Sequence, residues 1–243
     1  MKNIVLAAGY ATRLYPVTEH FPKPLLAIGG RTILDRLICD IDTIEDINEH
    51  LIVSNRTFLP HFEKWKNESR YTKEITLIDD GTTTNENRLG AVRDLLLAIE
   101  TRQPDDDLLV VAADNVLTFS FRGFTDYFKE KQTSVIMMYY EPDLKALQRT
   151  GVITIDRNRR VLEMHEKPLK PKSHCAVPPF YIYKKTDIEL IKSCITEDYI
   201  MDAPGNLVKS MLDKTDFHAW EMTGKRYDIG TLETYYQLKD NLP

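Results

Sequence analysis

Apolar residues in this chain gather into short runs separated by stretches in which they recur every three or four positions, and the two patterns alternate. Ile4-Val5-Leu6-Ala7-Ala8 is a continuous run that reads as a buried strand, and it stops at Gly9 in a segment too rich in Gly, Thr and Pro to be helix. Residues 33–38 return to helical spacing with Thr32 as N-cap, Leu51-Ile52-Val53 is a second short strand, and 58–68 is a helix on which Phe58, Phe62 and Trp65 recur. Residues 75–78 form a third strand, and the polar stretch 79–88 is a long surface loop of the kind that usually carries function. Residues 90–100 follow as a helix with Leu95, Leu96 and Ile99 on its buried side. Leu108-Leu109-Val110-Val111-Ala112-Ala113 is apolar throughout, as in strands buried on both faces of a parallel sheet, and it ends at Asp114. A helix over 121–131 and a strand over 135–139 complete the alternation. Strands separated by helices imply right-handed crossovers, hence an α/β fold: three-layer, mostly parallel, doubly wound and Rossmann-like.

From about Gly151 the pattern turns β-rich. Residues 152–155 and 161–164 form a hairpin around Arg157-Asn158, 180–183 is a further strand, and helices over 186–194 and 206–212 precede a terminal helix from Thr231. Nothing rich in Gly, Ser or Pro separates the halves, so the expectation is a single domain over 1–243, with one half at about 1–140 and a β-rich lobe at about 141–243.

Composition narrows the chemistry. A chain of 243 residues with 42% hydrophobic and 28% charged content can bury a sizeable core. Its net charge of −5 offers no footprint for nucleic acid, so any nucleotide partner is small. The N-terminal apolar run is too short to span a membrane and lacks a cleavage site. Three widely spaced cysteines give neither a disulfide framework nor a zinc spacing, which suits a reducing cytoplasm.

Candidate chemistry sits at strand ends. A loop leaving the first strand of an open α/β sheet can turn backbone N–H groups toward phosphate oxygens, and here it also carries Arg13 and Lys23. Asp114, with Asn115 after it, places a carboxylate at the end of another strand, and Asp228 lies in the turn Tyr227-Asp228-Ile229-Gly230-Thr231 before a helix. Two carboxylates converging on a polyphosphate would hold Mg²⁺, which takes one or two carboxylates and completes its shell with water and phosphate oxygens. The plainer alternatives are that Asp228 is an N-cap, with Thr231 as its competitor, and that Arg13 and Lys23 are solvated surface charges.

These residues resemble the sugar-1-phosphate nucleotidyltransferases. The family's apolar strand followed by Gly-x-Gly-Thr-Arg-Leu-x-Pro-x-Thr and Lys-Pro-Leu is similar to residues 9–18 with Lys23-Pro24-Leu25. The similarity continues through Gly90, Asp114-Asn115, Glu166-Lys167-Pro168 and residues 227–235, in order and over nearly the whole chain. The resemblance implies that the phosphate of a sugar 1-phosphate attacks the α-phosphorus of an NTP, releasing pyrophosphate and leaving a nucleotide-sugar. It places the nucleotide on Leu6, Ala8, Gly9, Tyr10, Ala11, Thr12, Arg13, Asn85, Gly90 and Asp114. Arg13 and Lys23 become the catalytic cations, on the leaving pyrophosphate and the α-phosphate. Mg²⁺ falls to Asp114 and Asp228, and the sugar phosphate to Gly151, Glu166 and Lys167, making the β-rich lobe sugar-binding. A homo-oligomer is compatible with the resemblance, and neither a membrane nor a nucleic acid is among its partners. No hexapeptide-repeat extension precedes Pro243, so an acyltransferase fusion is not expected.

Three departures stand out. Ala11 replaces the usual second glycine, which is tolerable only if its φ is negative, because a left-handed alanine costs about 1 kcal/mol or more. Ala113 replaces the glycine usual before the metal-binding Asp. Asn85 stands where thymidylyl and uridylyl enzymes tend to carry Gln, one methylene shorter, so the base stays open, as does the sugar. Other classes fit less well. A dinucleotide-binding turn needs glycines at three fixed positions and only Gly9 is present, and a P-loop needs Gly-Lys-Ser/Thr. A GT-A-like glycosyltransferase would carry Asp-x-Asp where Asp114-Asn115-Val116 stands. A non-catalytic nucleotide-sugar-binding regulator would be expected to have lost Arg13, Lys23, Asp114 or Asp228, and all are retained.

Overall fold

In the computed structural model, which describes residues 1–195 and 203–239, the elements run as follows. β1 (Lys2–Leu6), β2 (Ala27–Ile28), β3 (Arg31–Thr32), α1 (Ile33–Ile41), β4 (Glu49–Ser54), α2 (Leu59–Glu68), β5 (Glu74–Asp79), α3 (Ala91–Arg102), β6 (Leu108–Ala112) and β7 (Asn115–Leu117) come first. Then follow α4 (Arg122–Lys131), β8 (Ser134–Tyr140), α5 (Leu144–Leu147), β9 (Gly151–Ile155), β10 (Val161–Glu166), β11 (Cys175–Val177) and β12 (Phe180–Tyr183). The chain closes with α6 (Ile188–Cys194), α7 (Pro204–Met211), β13 (Phe217–Glu221), β14 (Arg226–Asp228) and α8 (Leu232–Lys239). These elements form two compact units interleaved along the chain: Met1–Leu89, Ala112–Phe121 and the residues from Gly224 in one, Gly90–Val111 and Arg122–Thr223 in the other.

The first unit holds β1, β4 and β5, the first strands of the alternation. β4 lies between β1 and β5 and pairs in parallel with both, Ile4 opposite Leu51 and Leu51 opposite Thr76. All six β4 residues are buried, as a central parallel strand requires. α1 buries Ile33, Leu34, Leu37, Ile38 and Ile41, and the Thr32 hydroxyl accepts the Asp35 N–H at 2.9 Å, the cap expected from sequence. Asn55 ties two segments together: its Oδ1 accepts the Phe58 N–H at the start of α2 and its Nδ2 donates to the Ala8 carbonyl, both at 2.9 Å. Val116 and Ile229 pack into one cluster with Leu14, Leu26, Ile28, Ile33 and Tyr235, so the loop after β1 and the strands β7 and β14 share a core.

The second unit is mixed. β12 runs antiparallel between β6 and β8, and β11 antiparallel between β8 and β9, with β10 beyond β9 and β13 parallel to β8. Pro178 and Pro179 separate β11 from β12, where the missing N–H groups interrupt pairing and let one line of chain serve two neighbours.

Several elements differ from the sequence expectation. The segment after β1 is not all loop: Thr12–Leu14 and Lys23–Leu25 are single 3₁₀ turns. β7, β11 and β13 were not visible in the pattern, because three residues of strand leave no period to detect and the polar residues of Phe217–Glu221 mask the apolar ones.

Candidate active site

β1 sets the first wall of the site. At its carboxyl end the Leu6 carbonyl accepts the Ala113 N–H at 3.1 Å and the Ala7 N–H donates to Val53 at 2.9 Å. The loop from Ala8 and the carboxylate of Asp114 therefore leave the sheet side by side. Ala8 is buried and Gly9 exposed, and a Cβ on Gly9 would meet nothing within 4 Å. No protein atom crowds that position, and the backbone there is open. Tyr10 is buried against Phe58, with its hydroxyl 3.1 Å from Thr82 Oγ1, so it anchors this loop to the 79–88 segment.

Ala11 corrects the sequence expectation: its φ and ψ are 49° and 41°, the left-handed region. An alanine there stores about 1–2 kcal/mol of strain. Its surroundings hold it in place, since its carbonyl accepts both the Leu14 N–H and the Thr18 hydroxyl at 2.9 Å. The conformation starts the 3₁₀ turn that carries Thr12 and Arg13, both exposed.

Lys23 is the opposite of a solvated surface charge. It is only 7% exposed, in the 3₁₀ turn flanked by Pro22 and Pro24. Its Nζ donates to Asp114 Oδ2 at 3.0 Å and lies 4.0 Å from Asp228 Oδ1. The carboxylates meet because β7 and β14 pair antiparallel, Asn115 opposite Asp228 and Val116 opposite Tyr227. Asp228 is therefore not a helix cap; Thr231 fills that role, its Oγ1 accepting the Thr234 N–H at 3.2 Å.

Two residues outside the expected set complete the arrangement. Arg226 lies on the same face of β14 as Asp228, two positions earlier. Its Nη1 donates to Asn115 Oδ1 at 2.7 Å and stands 4.0 Å from Asp228 Oδ2. Asn115 in turn donates to Asp114 Oδ1 at 2.6 Å. The period-two spacing of Arg226 and Asp228 was the signal available in the sequence. Burial and then the Asp114 charge push the Asp228 carboxyl above its ordinary range, against the pull of Lys23, Arg226 and Arg13.

Mg²⁺ fits these residues. Two carboxylates each turn one oxygen toward a single cationic position, and repulsion between them favours a cation there. Among the described residues no group of three or more His, Cys, Asp or Glu side chains forms a protein-only cage, so the remaining ligands would be phosphate oxygens and water.

Asn85 sits half-buried in a 3₁₀ turn, Asn85–Asn87, where Thr84 and Asn87 form a capping box. Gly90, in the second unit, has φ 90° and ψ 155°, a conformation all but closed to L side chains, so its identity is required by the backbone alone.

In the second unit Glu166 ends β10 and its Oε1 accepts the Gly205 N–H at 3.0 Å. Gly205 is the second residue of α7, so the carboxylate rests on a helix N-terminus, where its charge is favoured. A Cβ on Gly205 would lie 2.0 Å from Met164 Cε and 2.2 Å from Glu166 Oε1, and one on Gly151 2.6 Å from Met164 Cε and 3.4 Å from Glu166 Oε1. Both glycines thus make room for the Met164 methyl, and Gly205 also for the Glu166 carboxylate. Gly205 was missed because no local pattern links it to Glu166. Burial raises the Glu166 carboxyl, with Gly205 and Lys167 opposing. Lys167 follows at φ 46°, its N–H donating to the Thr150 carbonyl at 3.0 Å, so an exposed lysine carries backbone strain at this turn.

A first-strand loop and two cations stand beside a carboxylate pair in an α/β protein. Comparison with known proteins gives the family: residues 2–243 match the nucleotidyl transferase family model, and the chain belongs to that family. The bifunctional protein GlmU of Methanococcus aeolicus is 25% identical over 232 residues, covering 95% of this chain and 51% of its own. Glucose-1-phosphate adenylyltransferase of Clostridium novyi is 23% identical over 256 residues, covering 100% of this chain and 66% of its own. This chain thus spans about half to two thirds of the length of these relatives. A UDP-glucose pyrophosphorylase complexed with UDP-glucose superposes with a TM-score of 0.81 at 20% identity, covering 98% of this chain and 97% of that one. A UTP-bound UGPase from Acinetobacter baumannii does so at 0.78 and 16%, covering 98% and 91%. These likenesses establish the α/β fold. No helix among the described residues is long and apolar enough to cross a membrane.

Proposed function

We propose that this protein transfers a nucleotidyl group from an NTP to a sugar 1-phosphate, forming a nucleotide-sugar and pyrophosphate. The observation that carries this is the convergence of Lys23 on Asp114 and Asp228 beside the loop that follows β1. In phosphoryl-type transfer, positioning and charge neutralisation supply most of the rate, and no general base is needed for a phosphate nucleophile.

The roles are those the family resemblance implies. Backbone groups from Ala8 to Thr12 bind the triphosphate, with Gly9 leaving room for the approach. Exposed Arg13 takes the leaving pyrophosphate, and Lys23 the α-phosphate. Asp114 and Asp228 would hold Mg²⁺, which when bound neutralises phosphate charge. Asn85 and Gly90 border the base, and the shorter Asn85 amide leaves its identity open. In the second unit, Glu166 hydrogen-bonds the sugar and Lys167 pairs with its phosphate, with Gly151 shaping the space. The attacking phosphate oxygen forms a bond to the α-phosphorus as the bond to the β-phosphate oxygen breaks. The electron pair leaves with pyrophosphate.

The test is pyrophosphate release with each NTP against a set of sugar 1-phosphates. At least one pairing is expected to turn over, and Asp114→Asn and Asp228→Asn each to lower kcat by about 10²-fold or more with unfolding temperature retained. Nucleotide-sugar binding without turnover in any pairing would favour the regulator reading.

A further inference from the structure

Lys23 carries a tension that its role on the α-phosphate does not resolve. Its ammonium is buried and already bonded to Asp114, and it occupies the position toward which one oxygen of each carboxylate turns. The other carboxylate oxygens have separate cationic or amide neighbours: Asn115 Nδ2 at Asp114 Oδ1, 2.6 Å, and Arg226 Nη1 at Asp228 Oδ2, 4.0 Å. Arg226 is itself bonded to Asn115 at 2.7 Å, so one guanidinium steadies both carboxylates from the far side. The pair therefore has a partner fixed by its own bond to a neighbour, Arg226 on Asn115, and a partner, Lys23, whose ammonium is bonded to the Asp114 carboxylate itself.

Resting on the nucleotidyl-transfer reading above, we propose that Lys23 is an exchangeable counter-ion. Its ammonium holds the place between Asp114 and Asp228 that a divalent cation takes, and entry of that cation releases Lys23 to the triphosphate. With Lys23 in that place a single positive charge faces two carboxylates; with both lysine and metal, the same place is overfilled. Exchange removes both conflicts, since the displaced ammonium gains phosphate oxygens and the carboxylates gain a double charge. Metal and nucleotide each bind better when the other is present, and the coupling is reciprocal. The fixed half, Arg226 and Asn115, keeps the carboxylates aimed while Lys23 moves.

The experiment is a titration of nucleotide-free protein with Mn²⁺ alone, followed by the electron paramagnetic resonance signal of the free ion, in the wild type, Lys23→Met, Asp114→Asn and Asp228→Asn. Removing the competing ammonium is expected to tighten Mn²⁺ binding about tenfold or more, while each Asp variant weakens it. If Lys23→Met leaves the affinity unchanged or weaker while the Asp variants still lose it, the counter-ion proposal falls and the metal site stands. Unaltered binding in both Asp variants would instead remove the metal site itself, and absence of Mn²⁺ binding in every variant overturns both. Should Lys23→Met fail to fold, Lys23→Gln keeps a polar side chain without the charge. Independently of any variant, the ¹⁵N resonance of the wild-type Lys23 ammonium is expected to shift on adding Mg²⁺, and a resonance blind to Mg²⁺ overturns the exchange.

Discussion

Gly205→Ala is the substitution whose consequence follows most directly from distance. The new methyl would be placed 2.0 Å from Met164 Cε and 2.2 Å from Glu166 Oε1, far inside van der Waals contact. Both atoms are the free ends of flexible side chains, so the fold survives and the side chains move. Withdrawal of Glu166 forfeits the 3.0 Å bond from the Gly205 N–H. A hydrogen bond to a charged group contributes about 1.5–3 kcal/mol, and the helix preference for Ala over Gly returns about 0.5–1 kcal/mol. The net loss is about 0.5–2.5 kcal/mol, a fall of roughly 1–10 °C in Tm for a chain of this size. If Glu166 binds the sugar, loss of its fixed orientation raises KM for the sugar 1-phosphate about tenfold, as 1.4 kcal/mol of lost binding does. The KM for the NTP stays where it was. Thermal unfolding and steady-state kinetics with the two substrates varied separately read both effects. An unchanged Tm together with an unchanged sugar-phosphate KM would show that Gly205 does not hold this carboxylate.

Two further outcomes are expected. Ala11→Gly relieves the left-handed strain but loosens the unfolded chain, and the balance is a gain of up to about 1 kcal/mol in denaturant unfolding; a loss exceeding about 1 kcal/mol would mean that packing of the methyl against the Leu14 cluster outweighs the backbone. Glu166 has a folded-state pKa above its ordinary value of 4.5, so between that value and the raised one the native state holds more protons and its stability falls as pH rises. Glu166→Gln removes this term, so its stability relative to wild type should climb with pH through that window and level off above it; a difference independent of pH would refute the shift.

How much of this was legible beforehand varies with the range of the interaction. The apolar runs that became β1, β4 and β6 and the 3.6-residue spacing of α1 and α2 are local and were readable within a few positions. So was the cap at Thr32, because an N-cap acts across three residues. The candidate site residues were named through family resemblance, which carries no information on their conformations. Ala11 was judged on its φ, and its left-handed value is set by the Leu14 and Thr18 bonds to its carbonyl. Arg226 and Gly205 escaped notice for the same reason: each acts on a residue that only folding brings near, across 111 positions to Asn115 and 39 to Glu166.

Sequence by itself determined that an apolar strand gives way to a loop bearing Arg13 and Lys23, that carboxylates stand at 114 and 228, and that the first half alternates strand and helix. Tertiary structure decided that a three-residue ladder, β7 on β14, closes the gap between those carboxylates and that Lys23 is buried between them. The physical reason is that hydrophobic period and capping are properties of neighbours in the chain, whereas the energy of a buried charge depends on which distant groups surround it.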